Sequence, residues 1–177
     1  MMTPLGDIAN VSTGFPFRKK VQPESGADLF LVQIKDVDGA EGVTATCSLT
    51  LRSDKRNYDR YLLEEGDLLF QSRGSKHPVA IVGEGLKGIA AAGLHVVRPN
   101  REKVLPEYMA WWLNHPRTHE RLVREFSRGT HIPFVSKADL ASLPVPVPSL
   151  DQQQKIVHAW KLQQEATQLN NQLNELI

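Results

Sequence analysis

Short apolar runs, each bounded by glycine, proline or aspartate, dominate the first hundred residues. Apolar or β-branched residues fill five of these runs, at residues 29–34, 45–51, 67–71, 79–82 and 94–97. The runs are too short for helices and have the length of strands. Glycine-containing turn signals lie between them, for example at residues 65–67 and 74–75. Residues 1–104 are therefore predicted to form a β-rich, mainly antiparallel body.

The pattern changes at Pro106, which occupies a position tolerated in the first turn of a helix. A helix is predicted over residues 107–114 and a second one from about Thr118 to Phe126, and Ser136 is expected to cap a short helical turn. Three prolines at alternate positions within residues 143–149 then predict an extended connector that cannot sit in a central strand.

The last part of the chain, residues 151–177, contains neither glycine nor proline. Apolar residues recur there every three or four positions, at Ala159, Leu162, Ala166, Leu169, Leu173 and Leu176. This heptad seam predicts a long helix that projects from the body and forms a coiled coil. The expected fold class is α+β, with a body of residues 1–149 and a dimerisation helix of residues 150–177.

Neutral amides occupy much of the remaining surface of this helix. Beyond Leu162 its charged residues are Glu165 and Glu175 alone, where a solvated helix usually carries many charges. An amide can be hydrogen-bonded across an interface without the desolvation cost of a charge. We therefore expect a partner protein to dock on Gln164, Gln168 and Asn171, although a tail helix folded back on its own body is an alternative.

Basic residues are concentrated in three glycine-containing irregular segments. Arginine, lysine, serine, threonine and histidine supply donors for phosphates and for guanine, and a neighbouring glycine lets the backbone approach closely. The predicted DNA contacts are Arg18, Lys19, Lys20, Arg73, Ser75, Lys76, His77, Arg128, Thr130 and His131. Arginines spaced by three or four residues from Arg117 to Arg128 form a further stripe, which could equally be a solvated face.

The composition limits the classes of function. The chain of 177 residues has 21 Lys and Arg against 20 Asp and Glu, a balance that argues against a free-standing, non-specific DNA coater. Its single cysteine, Cys47, cannot form an intrachain disulfide, which suggests a reducing compartment. No apolar stretch approaches the length of a membrane span. We expect a cytoplasmic protein of one main domain without membrane contact.

Enzymatic motifs fail in their context. Residues 83–88 form a G-x-G-x-x-G pattern after a predicted strand, but too few residues follow for the helix of a dinucleotide site, so a β-hairpin fits better. His115 and His119 have the spacing of two zinc ligands, yet Pro116 lies between them and no H-E-x-x-H pattern occurs. The chain is therefore expected to be non-catalytic and to hold no cofactor or metal.

The order of these signals resembles the DNA specificity subunit of Type I restriction-modification systems. The resemblance is carried by residues 5–9, 13–14, 32–36, 65–74, 105–108, 111–113, 129–137, 139–140, 143–148 and 151–156, together with Gly39. It covers nearly the whole chain. It implies a target recognition domain over residues 1–149 followed by a conserved-region helix.

The resemblance also implies the partners of the chain. These would be double-stranded DNA, a methyltransferase subunit that holds S-adenosylmethionine, and a restriction and translocation subunit. The family usually has two recognition domains and two helices, so this chain corresponds to half a subunit, either a natural short form or a piece of a longer product. Two copies joined along the seam would recognise a palindromic split site. A protein-interaction adaptor and a dinucleotide-dependent enzyme remain the alternatives.

Overall fold

The computed structural model describes residues 2–18, 21–23, 25–37, 50–126 and 133–175. The strands in this part of the chain are β1 Met2–Pro4, β2 Ala9–Thr13, β3 Leu29–Val32, β4 Thr50–Leu51, β5 Leu68–Gln71, β6 Val79–Ile81, β7 Gly88–Ala90, β8 Leu94–Pro99 and β9 Pro144–Pro146. The α-helices are α1 Pro106–Asn114, α2 Pro116–Phe126, α3 Lys137–Ser142 and α4 Leu150–Glu175. The predicted α+β class is confirmed.

The body is built on a four-stranded antiparallel sheet in the order β2-β8-β5-β6. Apolar side chains alternate toward the two faces of its strands, so both faces are covered: Leu68 and Phe70 join one core cluster and Leu69 the other. The helices pack on the first of these clusters. The second sheet, β4-β3-β7, covers the other side and contains the parallel pair β3–β7.

The G-x-G-x-x-G segment does not form the predicted β-hairpin. Strand β7 pairs in parallel with β3 rather than with β6, and no helix begins at Gly88. Gly88 serves close strand packing, because a Cβ there would lie 2.6 Å from the carbonyl oxygen of Phe30. The hairpin prediction was wrong because its basis was local, whereas this strand pairs with one far away in sequence. A dinucleotide site, which needs the missing helix, is not favoured.

Helix α1 supplies a large part of the core with Tyr108, Met109 and Leu113. Asn114 at its end binds edge strand β6: its Oδ1 accepts from the Val79 amide at 3.0 Å, and its Nδ2 donates to the Val79 carbonyl at 2.8 Å. These two bonds satisfy both backbone groups of an edge residue. The helix is thereby fixed in register on the sheet.

Helix α4 begins on the body and then leaves it. Gln153 is fully buried, where its Oε1 accepts from the Leu105 amide and its Nε2 donates to the carbonyls of Lys103 and Pro148. Val157, one turn further along, is also buried. From residue 161 to residue 175 every side chain is exposed, as predicted for a projecting helix.

Several predicted features lie partly or wholly outside the described residues. Of the predicted strand at 45–51, the structure describes Thr50–Leu51. Six predicted site residues lie wholly outside the described residues, namely Lys19, Lys20, Arg128, Thr130, His131 and Leu176.

Candidate nucleic-acid interface

Two loops lie on either side of the tight turn at residues 91–93, which leads into β8. Strands β2 and β5 flank β8 in the sheet, and both end beside this turn. The Phe15 amide donates to the Ala90 carbonyl at 2.7 Å, and the Ser72 amide donates to the Gly93 carbonyl at 3.1 Å. The loops that follow β2 and β5 are therefore neighbours on one end of the body.

Gly14 makes the first of these approaches possible. A Cβ at this position would lie 2.2 Å from the Ala91 carbonyl oxygen, so no other residue fits without moving the backbone. In the sequence, Gly14 stands out only as part of the family resemblance and as the glycine that precedes the basic residues 18–20. Arg18, four residues later, is exposed, as a DNA contact requires.

The second loop, which we call the Arg73 loop (residues 72–77), carries exposed Arg73, Ser75 and Lys76. Arg73 forms an isolated antiparallel bridge with Phe134, and its guanidinium carbon lies 5.2 Å from the centroid of the Phe134 ring. The Gly74 amide also donates to the Pro133 carbonyl at 3.0 Å. The segment that follows the predicted 128–131 loop is thus held against the Arg73 loop.

His77 differs from the prediction, because it is only 1% exposed and is therefore not available for a DNA contact. Its Nδ1 donates to the Gln71 carbonyl at 2.8 Å, and its ring stacks on Phe70 at a centroid distance of 5.6 Å. Its φ of 42° turns the chain inward at the end of the loop. We correct its assignment from a DNA contact to an anchor for the base of the Arg73 loop.

His95 is a second anchor, which sequence reasoning missed. Its ring also stacks on Phe70, at a centroid distance of 6.2 Å, and its Nε2 donates to the Val135 carbonyl at 2.9 Å. Burial lowers the pKa of both His77 and His95 below the usual histidine value, so both rings are neutral near pH 7. A histidine in the apolar run of β8 was the signal that could have found it.

Helix α2 presents only part of the predicted arginine stripe. Arg117 and Arg124 are exposed, whereas Arg121 pairs with Glu125 at 3.0 Å and lowers the pKa of that carboxyl by hydrogen bonding. Arg124 also lies 3.6 Å from Glu125. The stripe is partly neutralised, which agrees with the solvated alternative.

The predicted seam and the predicted docking residues lie on opposite faces of α4. Leu162, Leu169 and Leu173 are 52%, 66% and 56% exposed. Gln164 and Asn171 each lie two residues beyond a seam leucine, about 200° around the helix axis. Gln168 and Ala166 are exposed as well. The leucine face could therefore pair with a second helix while the amide face remains accessible to another protein.

The amide face continues into a groove between α4 and the body. Trp160, Gln163, Gln164 and Thr167 line the groove from the helix, and Trp111 and His115 line it from α1 and the residue that follows it. Trp111 is half-buried there, whereas the neighbouring Trp112 is buried in the core.

No group of three or more histidine, cysteine or acidic residues is placed to hold a metal ion among the described residues. No described helix is both long enough and apolar enough to cross a membrane.

Comparison with known proteins identifies relatives of the whole chain. The family model described as Type I restriction modification DNA specificity domain matches residues 1–177. A search of the curated protein sequences found no match.

Three solved structures share the fold. The HsdS subunit from Thermoanaerobacter tengcongensis aligns with a TM-score of 0.69 and 21% identity over 98% of this chain and 44% of its own. A chain from a structure of type I R-M system assembly and conformational transition aligns with a TM-score of 0.70 and 20% identity, over 99% of this chain and 41% of its own. The Type I S subunit from M. genitalium aligns with a TM-score of 0.63 and 14% identity, over 99% of this chain and 42% of its own. The present chain thus spans less than half the length of these proteins.

Proposed function

Because the chain belongs to the family of Type I restriction-modification DNA specificity domains, we propose that it recognises one half-site of a DNA sequence for a methyltransferase. The observation that carries this proposal is the Arg73 loop. Its exposed cationic residues stand on a base fixed by His77, Phe70 and the 133–135 segment. A loop held this rigidly can present donors to a DNA groove without a large ordering cost on binding.

The DNA contacts in this proposal are Arg18, Arg73, Ser75 and Lys76, together with the predicted residues at 19–20 and 128–131. Residues 1–149 act as the target recognition domain. The bonds that Gln153 makes with the body support a fixed angle between that domain and α4.

Helix α4 supplies the assembly surfaces in this proposal. Two copies pair along Leu162, Ala166, Leu169, Leu173 and Leu176, while the methyltransferase subunit docks on Gln164, Gln168 and Asn171. The restriction and translocation subunit joins the complex in the cytoplasm. The chain itself is non-catalytic and binds no cofactor, and S-adenosylmethionine is held by the methyltransferase.

The proposal is tested by co-expressing the chain with the methyltransferase of its own system and sequencing the methylated bases of the host chromosome. We expect one bipartite motif to be methylated, and only when both proteins are present. A catalytically inactive methyltransferase with the intact chain is the control. The same motif methylated without the chain would show that the methyltransferase selects its own sequence and would overturn the proposal.

A further inference from the structure

A cluster of four aromatic rings lies beside the 91–93 turn, on the β2 side and away from the Arg73 loop. Phe15 forms a parallel bridge with Ala91 and is the centre of the cluster. Its ring contacts those of Phe17, Tyr58 and Tyr61 at centroid distances of 4.8, 5.0 and 5.0 Å. Tertiary packing joins the loop after β2 to residues 58–61, so two distant segments form one surface.

Two exposed arginines rest on this aromatic cluster. The guanidinium carbon of Arg56 lies 5.9 Å from the centroid of Phe15, and that of Arg60 lies 5.1 Å from the centroid of Tyr61. A guanidinium held over a ring keeps the N–H donors at its edge available, and its rotation is restricted. Within the described residues neither arginine has a carboxylate partner.

Two carboxylates in this region, those of Asp54 and Asp28, are engaged by other groups. Asp54 is bound by Arg52 at 2.5 Å, while Asp28 accepts from both the amide and the hydroxyl of Ser53. Lys87 lies 3.5 Å from Asp28 as well. Since no carboxylate of the described residues pairs with Arg56 or Arg60, their charges can attract an external anion.

The aromatic cluster is close enough to the Arg73 loop for one short duplex to reach both. The backbones at Phe15 and Ser72 are separated by no more than about 17 Å, since two strand spacings and one turn lie between them. That length corresponds to about five base pairs at roughly 3.4 Å per step. Half to two-thirds of the hydrogen bonds that proteins make to DNA go to phosphate and sugar, and arginine is among the residues that make them, so a second exposed cationic surface beside the loop is suited to the backbone of the duplex.

We propose that Arg56 and Arg60 bind backbone phosphates of the same DNA duplex that the Arg73 loop contacts. This inference rests on the proposed function and adds a second contact surface to it. The two arginines position the duplex and contribute affinity for any sequence, whereas the Arg73 loop discriminates between sequences.

The test measures DNA binding by the complex of the full chain with its methyltransferase. The variant Arg56→Gln with Arg60→Gln is compared with wild type on cognate and scrambled duplexes over a range of salt concentrations. We expect at least about 10-fold weaker binding to both duplexes at low salt. The slope of log affinity against log salt should become shallower by about two, one for each lost phosphate contact.

Arg52→Gln is the matched control, since this arginine lies in the same segment but pairs with Asp54. It should leave the slope unchanged. The variant Arg56→Lys with Arg60→Lys keeps both charges and should retain the slope, which tests the inference even if the glutamine variant folds poorly.

Three results would overturn the inference. If the glutamine variant binds DNA like wild type while Arg73→Ala weakens binding, Arg56 and Arg60 are not a second contact surface, and the proposed function still stands. If neither the glutamine variant nor Arg73→Ala changes DNA binding, the proposed DNA-contacting face is wrong as a whole. A loss confined to the cognate duplex would mean that the arginines contact bases, contrary to the phosphate assignment.

Discussion

Arg73 is the single residue on which DNA recognition should depend most. Its side chain is exposed, so Arg73→Ala should change the free energy of unfolding by no more than the ~0.5–1 kcal/mol of a guanidinium-ring contact. If the guanidinium contacts a base, the cognate duplex should bind about 1–3 kcal/mol more weakly, with relaxed specificity at one position. Titration of cognate and singly mismatched duplexes with the assembled complex measures both effects.

Lys76→Ala is the companion variant, because Lys76 is exposed on the same loop and carries a flexible point charge. A phosphate contact there should weaken binding to all sequences alike. Wild-type affinity in Arg73→Ala, Lys76→Ala and their combination would exclude the Arg73 loop from DNA recognition.

The buried histidine pair gives the body a pH-dependent stability. His77 and His95 each donate one ring N–H to a carbonyl, and the other ring nitrogen of each is buried and has no hydrogen-bond partner among the described residues. Protonation would add a buried donor with no acceptor, which agrees with the lowered pKa of both rings. His119, with its ring centroid 6.0 Å from that of His77, and Lys137 beside His95 disfavour a charge there further.

Because the unfolded chain binds these protons more readily, stability should be complete above about pH 6.5 and fall as the pH drops below it. The melting temperature measured between pH 7.5 and 5 should therefore decrease. It should decrease less in His77→Gln with His95→Gln, even if that variant starts from a lower value. Equal slopes for the two proteins would show that other groups set the acid sensitivity.

His77 also shows what the local pattern could not reveal. It follows an arginine, a glycine and a lysine, so it has the composition of a basic loop, but a positive φ directs its ring into the core. Exposure of Arg73, Ser75 and Lys76 was predictable from such a pattern. The direction of the His77 side chain depends on tertiary packing against Phe70, and such packing cannot be predicted from the local sequence pattern.

At the scale of elements, helix ends were predictable because their signals are local. Pro106 begins α1, and Ser136 caps α3 by accepting from the Asp139 amide at 3.1 Å. Strands β1 and β9 were not identified as strands, since they form one ribbon that joins the two ends of the body, with Met2 opposite Pro146. Pairing between segments this distant leaves no periodic pattern in either.

The burial of Gln153 changes where α4 can be cut without harming the body. Truncation after Ser149 would remove this side chain and leave the Leu105 amide and two carbonyls without their partners. Truncation after Trp160 removes only exposed side chains among the described residues. We expect the second truncation to keep the melting temperature and to sediment as a monomer. A dimer after that cut would place the contact elsewhere.

The two faces of α4 should have separable functions. Leu169→Glu with Leu173→Glu places charges on the seam and should abolish dimers while methyltransferase binding by each chain persists. Gln164→Glu, Gln168→Glu and Asn171→Glu together should abolish methyltransferase co-purification and keep the dimer. Each variant is the other's control, and circular dichroism monitors helix content. If the amide variant still co-purifies with the methyltransferase, the docking surface lies elsewhere.

The whole assembly should recognise a palindrome, because two identical domains related by a two-fold axis bind identical half-sites. Once the methylated motif is known, duplexes with two, one or no intact half-site can be compared for binding and methylation by the complex. Each mismatched base pair costs about 1–3 kcal/mol, so a scrambled half-site should reduce affinity by well over 10-fold and methylation with it. The seam variant, which cannot place two domains on one duplex, should bind both the intact and the half-scrambled site equally weakly. Full affinity of the wild-type complex for a single half-site would mean that one domain acts alone.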